Sequence, residues 1–307
     1  MKEKTDRRRH FLKEEPLLAQ TRGLLRRFDL RAKKGLGQHF LIDKEILSLI
    51  TSTAGLTPGD IVLEIGPGLG VLTEELAKQA GYVLAIELDT KLAGILEKAL
   101  ASLGNVTIIN EDILNIEPAS LLEEKKANFP PSITDPLSYK VVANLPYYIT
   151  SLVLRHFLEA SVKPRIMVVM VQKEVAEVIV AEPGRMSMLS ISVQFYGKPE
   201  IISLVPARCF YPSPEVDSAI LRITLYPRPP VAVADVDSFF KLVGAGFYAP
   251  RKQIGNSLTR GLGLPRAWVL SLLEKAGIAS QRRAETLTLE EWAHLLSLFA
   301  DAISTNR

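Results

Sequence analysis

The sequence predicts an α/β protein built on an open, mostly parallel sheet, with a small all-helical region at its C-terminal end. Three observations lead there. Runs such as Ile61-Val62-Leu63-Glu64-Ile65 and Arg165-Ile166-Met167-Val168-Val169-Met170-Val171 are too continuously apolar for a half-exposed strand and read as strands covered on both faces. The first of them runs into Gly66-Pro67-Gly68-Leu69-Gly70 and then a helix-period segment, so a glycine turn joins strand to helix. Beyond Pro227-Arg228-Pro229-Pro230 the period becomes helical throughout, which places a domain boundary at that proline cluster.

At 307 residues, 47% hydrophobic and 23% charged, the chain is long enough for one large domain and a small one. Apolar residues nowhere run uninterrupted for the roughly 18 needed to cross a bilayer, so no membrane partner is expected. The charged start leads into no apolar signal-peptide core, and Glu3, Asp6, Glu14 and Glu15 are wrong for an organellar transit peptide. A single cysteine, Cys209, excludes an intramolecular disulfide and any CxxC metal site, which fits a cytoplasmic protein. Charge is uneven. Twelve Lys/Arg against five Asp/Glu through Lys34 give +7, leaving −4 for the rest of a chain whose total is +3. A basic arm ahead of a mildly acidic body suits a polyanion.

In order, residues 1–32 form that arm, loosely amphipathic through Leu17-Leu18 and Leu24-Leu25. Lys33-Lys34-Gly35-Leu36-Gly37-Gln38-His39-Phe40-Leu41 follows, where glycines allow close backbone approach, Gln38 or His39 can hydrogen-bond a ligand, and Phe40 and Leu41 can wall an adenine ring. Asp43 is placed to cap a helix from Lys44 to Ala54. After strand 61–65, the spacing of Gly66, Gly68 and Gly70 is GxGxG, not the GxGxxG of dinucleotide sites, and the helix from Val71 to Gln79 points its N-terminus at the turn. Strand Tyr82–Ile86 ends at Glu87, where an acid takes the two hydroxyls of a ribose; strand Val106–Asn110 ends near Asp112, which can accept from an adenine amine. Glu117 to Tyr139, with four prolines, reads as an irregular surface loop. Helices are expected at Thr150–Glu159 and Gln172–Ala181, a strand at Ser190–Phe195 and an edge strand at Ala219–Leu225, making seven strands in all. The loops Glu182–Ser187 and Phe210–Ser218 are expected to flank the site. The C-terminal helices are Val236–Phe247, Arg251–Gly261, Ala267–Lys275 and Leu289–Ala302, with Arg251, Lys252, Arg260, Arg266, Arg282 and Arg283 available to contact phosphates.

The fourth strand carries the most specific chemistry. Lys140-Val141-Val142-Ala143 ends in Asn144-Leu145-Pro146-Tyr147-Tyr148, a polar amide, a rigid proline and two aromatics at the edge where open α/β sheets bind ligands. The exocyclic amine of adenine is a poor nucleophile because its lone pair is delocalised into the ring. An amide oxygen from Asn144 and the Leu145 carbonyl, next to a proline that has no N–H, can hold that amine's hydrogens and localise the pair; Tyr147 offers a face for the base.

Five segments together resemble one family. Gly35-Leu36-Gly37-Gln38-His39-Phe40-Leu41, Glu64-Ile65-Gly66-Pro67-Gly68-Leu69-Gly70-Val71-Leu72-Thr73, Asn144-Leu145-Pro146-Tyr147, Phe210-Tyr211-Pro212-Ser213-Pro214-Glu215-Val216-Asp217-Ser218 and Phe247-Tyr248-Ala249-Pro250-Arg251-Lys252-Gln253 resemble the KsgA/RsmA ribosomal RNA adenine dimethyltransferases, from about Lys33 to the C-terminus. The resemblance implies a class I, Rossmann-like methyltransferase domain over 33–227 and a helical RNA-binding domain over 228–307. It also implies S-adenosyl-L-methionine as cofactor and conversion of two adjacent adenosines in the 3′-terminal hairpin of 16S ribosomal RNA, within a 30S particle or precursor, to N6,N6-dimethyladenosine. It puts cofactor contacts at His39, Leu41, Gly66, Glu87, Asp112 and Asn144, beside those the glycine turn and Gln38 suggest (Gly68, Gln38). An imidazole stands at His39 where the family commonly has an amide, and Pro250 stands where an arginine often precedes Arg251-Lys252. No metal is expected, and a monomer is the default.

Four other readings compete. An Erm-type enzyme acting on large-subunit RNA typically has isoleucine where Leu145 stands. A DNA adenine methyltransferase usually carries Asp-Pro-Pro-Tyr. A catalytically idle RNA-binding factor on the same fold has no need of an intact Asn-Leu-Pro-Tyr. A nicotinamide-dependent dehydrogenase fits Glu87 but not the GxGxG spacing.

Overall fold

The computed structural model describes residues 16–29 and 38–305; Gly35 and Gly37, expected to let backbone approach a ligand, and the basic residues before Pro16 lie outside them. Seven strands, β1 (Ile61–Ile65), β2 (Tyr82–Ile86), β3 (Val106–Ile109), β4 (Tyr139–Asn144), β5 (Ile166–Gln172), β6 (Gly197–Val205) and β7 (Ser218–Leu225), form one sheet in the order 3-2-1-4-5-7-6. β1 to β5 are parallel, and β7 runs antiparallel to both β5 and β6. The strand order reverses between β1 and β4, so the loops after these two strands diverge and open a crevice.

The alternation of each strand feeds two cores. Ile61, Leu63 and Ile65 of β1 face one layer with Val153, Leu154 and Phe157 of helix Thr150–Glu159. Val62 faces the other, with Leu47, Ile50 and Ala54 of helix Lys44–Ala54 and Leu72 and Leu76 of helix Val71–Ala77. Helix Lys44–Ala54 is bounded as its sequence requires: the Asp43 carboxylate accepts from the backbone N–H groups of Glu45 and Ile46, and Gly55 closes it in the left-handed conformation. A third core, around Trp292, Phe239 and Leu258, lies among helices Val236–Gly246, Ile254–Leu262, Arg266–Lys275 and Leu289–Thr305. A two-residue ribbon pairs Phe40 with Tyr211 and Leu41 with Phe210.

Three expectations are corrected. Residues 190–195 are not a strand but part of helix Met188–Tyr196, started by a Ser187–Ser190 capping box. Its pattern misleads because it is buried on two sides, Ile191 and Phe195 against the C-terminal helices and Val193 against the sheet, which erases the helical period. The true strand, β6, carries Pro199 and a register shift between Ile201 and Ser203, both tolerated at a sheet edge. β7 is therefore interior, not an edge. Within 117–139, Pro118–Lys125 is a helix: Pro118 occupies its first turn, and Glu117 accepts from the Ser120 N–H, so one of the prolines read as loop punctuation is a helix start.

Candidate active site

The crevice at the carboxyl ends of β1, β2, β3 and β4 is a cleft of about 1090 Å³, open solvent at its mouth included. Gln38, His39, Leu41, Gly66, Gly68, Glu87, Asp112, Asn144, Leu145, Pro146 and Tyr147, expected from positions scattered over more than a hundred residues, all line it. Two strand ends bring them together. Gly66, with φ +68°, donates its N–H to the Ile86 carbonyl at 2.9 Å and turns the chain away from β1. Pro146 of the β4 loop lies against it, so that a β-carbon on Gly66 would stand 3.8 Å from the proline ring. At Gly68 a β-carbon would come within 3.2 Å of the Phe40 ring, and φ is +61°; the glycines leave backbone bare at the cleft floor.

Glu87 is 6% exposed, and both of its oxygens accept backbone N–H groups, from Gly68 (3.2 Å) and Asp89 (2.9 Å). Burial raises its pKa above the usual carboxylate value; those N–H bonds pull it back in part, and the Asp89 charge adds to the rise. Asn110 steadies the same turn by donating to the Glu87 carbonyl at 2.8 Å. Asp112 caps the short 3₁₀ turn Ile113–Asn115 by accepting from Leu114.

Asn144 donates its amide N–H to the His39 carbonyl at 3.0 Å. A carbonyl only accepts, so this contact fixes the amide's orientation and leaves Oδ1 as an acceptor without a donor among the described residues. His39 Nδ1 lies 2.7 Å from the Pro212 carbonyl, which by the same logic puts a proton on Nδ1. The His39 ring stacks on Tyr147 at 5.8 Å between centroids and 22° between planes. The Tyr147 hydroxyl bonds Ser218 Oγ at 2.7 Å, and burial raises its pKa. Leu145 is 1% exposed: its side chain belongs to the core, so only its backbone can serve chemistry.

Sequence reading missed Glu64. It lies on β1, lines the cleft, is 1% exposed, and its Oε2 has no hydrogen-bond partner of good geometry among the described residues; Thr73 Oγ1 is likewise unpartnered. Burial pushes its pKa up to about 8, with the Glu87 charge adding and Thr73 opposing. A lone acid inside an otherwise apolar buried strand was the available signal. Tyr148, next to Tyr147, also lines the cleft and is 54% exposed.

The strand order, the glycine turn after β1 and the acids after β2 and β3 define a class I, Rossmann-like methyltransferase. The comparisons make it more particular. The family model described as ribosomal RNA adenine dimethylase matches residues 29–301, and the chain belongs to that family. "Ribosomal RNA small subunit methyltransferase A" of Dehalococcoides mccartyi is 50% identical over 285 residues, covering 93% of this chain and 94% of that protein. The protein of the same name from Enterococcus faecalis is 42% identical over 288 residues, covering 92% and 95%. Among solved structures, the 23S rRNA methyltransferase ErmE superposes with a TM-score of 0.65 at 31% identity over 85% of this chain and 99% of that one. A dimethyladenosine transferase from Plasmodium falciparum reaches 0.72 at 24% identity over 86% and 98%, a likeness of fold. The protein is thus a ribosomal RNA adenine dimethyltransferase.

Proposed function

We propose that this enzyme transfers methyl groups from S-adenosyl-L-methionine to N6 of two adjacent adenosines in the 3′-terminal hairpin of 16S ribosomal RNA. It does so as a cytoplasmic monomer acting on a 30S particle or its precursor. The observation that carries the reading is the amide of Asn144, pinned through its nitrogen so that its oxygen is the acceptor left in the cleft.

The cleft suits that cofactor: the glycines leave bare backbone at its floor, and Glu64 Oε2 is a buried polar atom that still lacks a partner among the described residues. When bound, S-adenosyl-L-methionine supplies a methyl group on a sulfonium, already activated for in-line displacement. What remains for the protein is placement and a sharper nucleophile. Glu87 and Asp112 would hold the ribose hydroxyls and the adenine amine of the cofactor, with Gln38, His39, Leu41, Gly66 and Gly68 as its walls and floor. Asn144 Oδ1 and the Leu145 carbonyl accept from the N6 hydrogens, Pro146 contributes no competing N–H, and Tyr147 stacks on the target base. Transfer leaves the nitrogen cationic; it releases one proton to solvent at the open cleft and keeps one hydrogen, which one of the two acceptors holds for the second transfer while the pocket admits the first methyl group. The reaction as proposed needs no metal. Residues 33–227 form its methyltransferase domain, 228–307 its RNA-binding domain and 1–32 a basic arm.

The small-subunit assignment rests on relatives of 39 to 50% identity that carry that name. The 31% identity to ErmE keeps large-subunit RNA as the alternative. Incubating the enzyme and labelled cofactor with 30S and 50S particles lacking N6,N6-dimethyladenosine, then digesting to nucleosides for mass spectrometry, separates the two. Dimethyladenosine in the 30S 3′-terminal hairpin alone is the expected result; label in 50S alone transfers the case to the large subunit.

A further inference from the structure

The basic arm is the feature that the reaction leaves unused, and part of it is well placed. Helix Leu17–Arg27 (LLAQTRGLLRR) holds no acidic residue. It buries Leu17, Thr21 and Leu25, a stripe at four-residue spacing, with Leu17 joining the core that contains Leu41 and Phe210. Arg22, Arg26 and Arg27 lie exposed, and among the described residues none pairs with a carboxylate. Two are held over aromatic faces, Arg22 5.0 Å from the Tyr211 ring and Arg27 5.3 Å from Phe28. A stacked guanidinium keeps the N–H groups of its edge available and loses little freedom on meeting a phosphate. Tyr211 is the ribbon partner of Phe40, which lines the cleft. At the far end of the helix the Asp29 carbonyl accepts from Lys91 Nζ at 2.9 Å, four residues past Glu87. One anchor is therefore on the ribbon that walls the cleft and the other on the helix that follows its buried acid. The helix lies outside the 29–301 that match the family.

We infer that helix Leu17–Arg27 is a phosphate-contacting rail for the RNA that the cleft modifies, with Arg22, Arg26 and Arg27 meeting the strand that enters or leaves the target adenosines. This rests on the RNA reading above. Phosphates explain the combination of three guanidiniums without a carboxylate partner among the described residues, no acid within the helix and two attachments beside the cleft, because each neutralised phosphate releases counterions and gives binding a salt dependence.

The test is equilibrium binding of a 16S 3′-terminal hairpin fragment across a KCl series. It compares the wild type with Arg26→Ala/Arg27→Ala, which keeps the Arg22–Tyr211 stack, and with Arg26→Lys/Arg27→Lys. Melting curves and S-adenosyl-L-methionine affinity serve as folding controls. Each phosphate contact accounts for about 0.7 to 0.9 of the slope of log K against log [KCl]. The double alanine variant is expected to lose roughly 1.4 to 1.8 of that slope, and about 10- to 100-fold in affinity near 0.1 M salt. The lysine variant should keep the slope. An unchanged slope in a folded alanine variant overturns the inference, as does loss of binding to phosphatidylserine vesicles with RNA binding intact, which would make the rail a lipid contact. If the wild type itself fails to bind the hairpin, the inference falls together with the RNA reading, an outcome distinct from failure of the arm alone.

Discussion

Asp60, just before β1, and Glu64, near its carboxyl end, stand four residues apart, both all but fully buried, and they are treated in opposite ways. At the amino end, Asp60 takes hydrogen bonds from Lys140 Nζ (3.1 Å), from the N–H and hydroxyl of Thr57 (2.8 Å each) and from Arg165. Burial alone would raise its pKa, but the bonds from Thr57 and Lys140 outweigh burial and hold it below the usual value. Lys140 also donates to the carbonyls of Ala54 and Gly55, so the cluster ties β1, β4 and the end of helix Lys44–Ala54 together. At the carboxyl end Glu64 has an oxygen with no partner among the described residues, and its pKa is pushed up to about 8. A satisfied charge stands just before β1, where the fold is fastened, and a carboxyl with an oxygen unpartnered among the described residues stands on β1 at the cleft. Burial sets the cost of a carboxyl, and the number of donors facing it decides whether it serves stability or binding.

The largest effect should come from breaking the satisfied end. Lys140→Met leaves Asp60 short of its buried partner and should lower unfolding free energy by about 3–5 kcal/mol in urea titrations. Turnover per folded molecule should hardly change. Acidity should then separate the two ends by sign. Asp60 has a lowered folded pKa, so the stability it adds is present above its ordinary value near 3.8 and lost as pH falls through the folded value. Glu64 binds a proton in the folded state over the range where the unfolded chain has released it. It therefore subtracts stability as pH rises from about 4.5 to about 8, by up to about 1.4 kcal/mol per pH unit. Glu64→Gln should match the wild type near pH 5 and exceed its unfolding free energy at pH 8, whereas Asp60→Asn should be weaker than the wild type at neutral pH and approach it in acid.

Two smaller changes probe the cleft itself. Gly68→Ala forces a side chain into the left-handed region and toward Phe40, for about 1–2 kcal/mol of strain. Isothermal titration should find cofactor affinity reduced about tenfold. Tyr147→Phe removes the bond to Ser218 but keeps the ring, so stability should fall by about 1 kcal/mol and turnover only a few-fold.

Most of the scaffold was legible because its signals are local. β1 and β2 begin and end where their apolar runs do, and helix Lys44–Ala54 lies between its own cap and glycine. That these residues share one cleft was legible because strand ends punctuated by Gly66, Glu87, Asp112 and Asn144 fall on one edge of a parallel sheet. What escaped depends on distant partners. Helix Met188–Tyr196 is buried from two directions, which leaves no period to read. The bonds Asn144–His39, His39–Pro212 and Lys140–Asp60 join residues 80 to 173 apart in sequence, so pairing could not be read, though the residue types could. Glu64 reads as one more strand position until the fold closes around it.

The most direct test of the whole account is the rate at which Asn144→Ala forms N6,N6-dimethyladenosine in 30S particles, followed by nucleoside mass spectrometry at saturating cofactor. If its amide oxygen sharpens the adenine amine, kcat falls by about 10²–10³ while unfolding free energy stays near that of the wild type. A folded variant that dimethylates within about tenfold of the wild-type rate would contradict the role given to Asn144, and with it the chemistry assigned to the cleft.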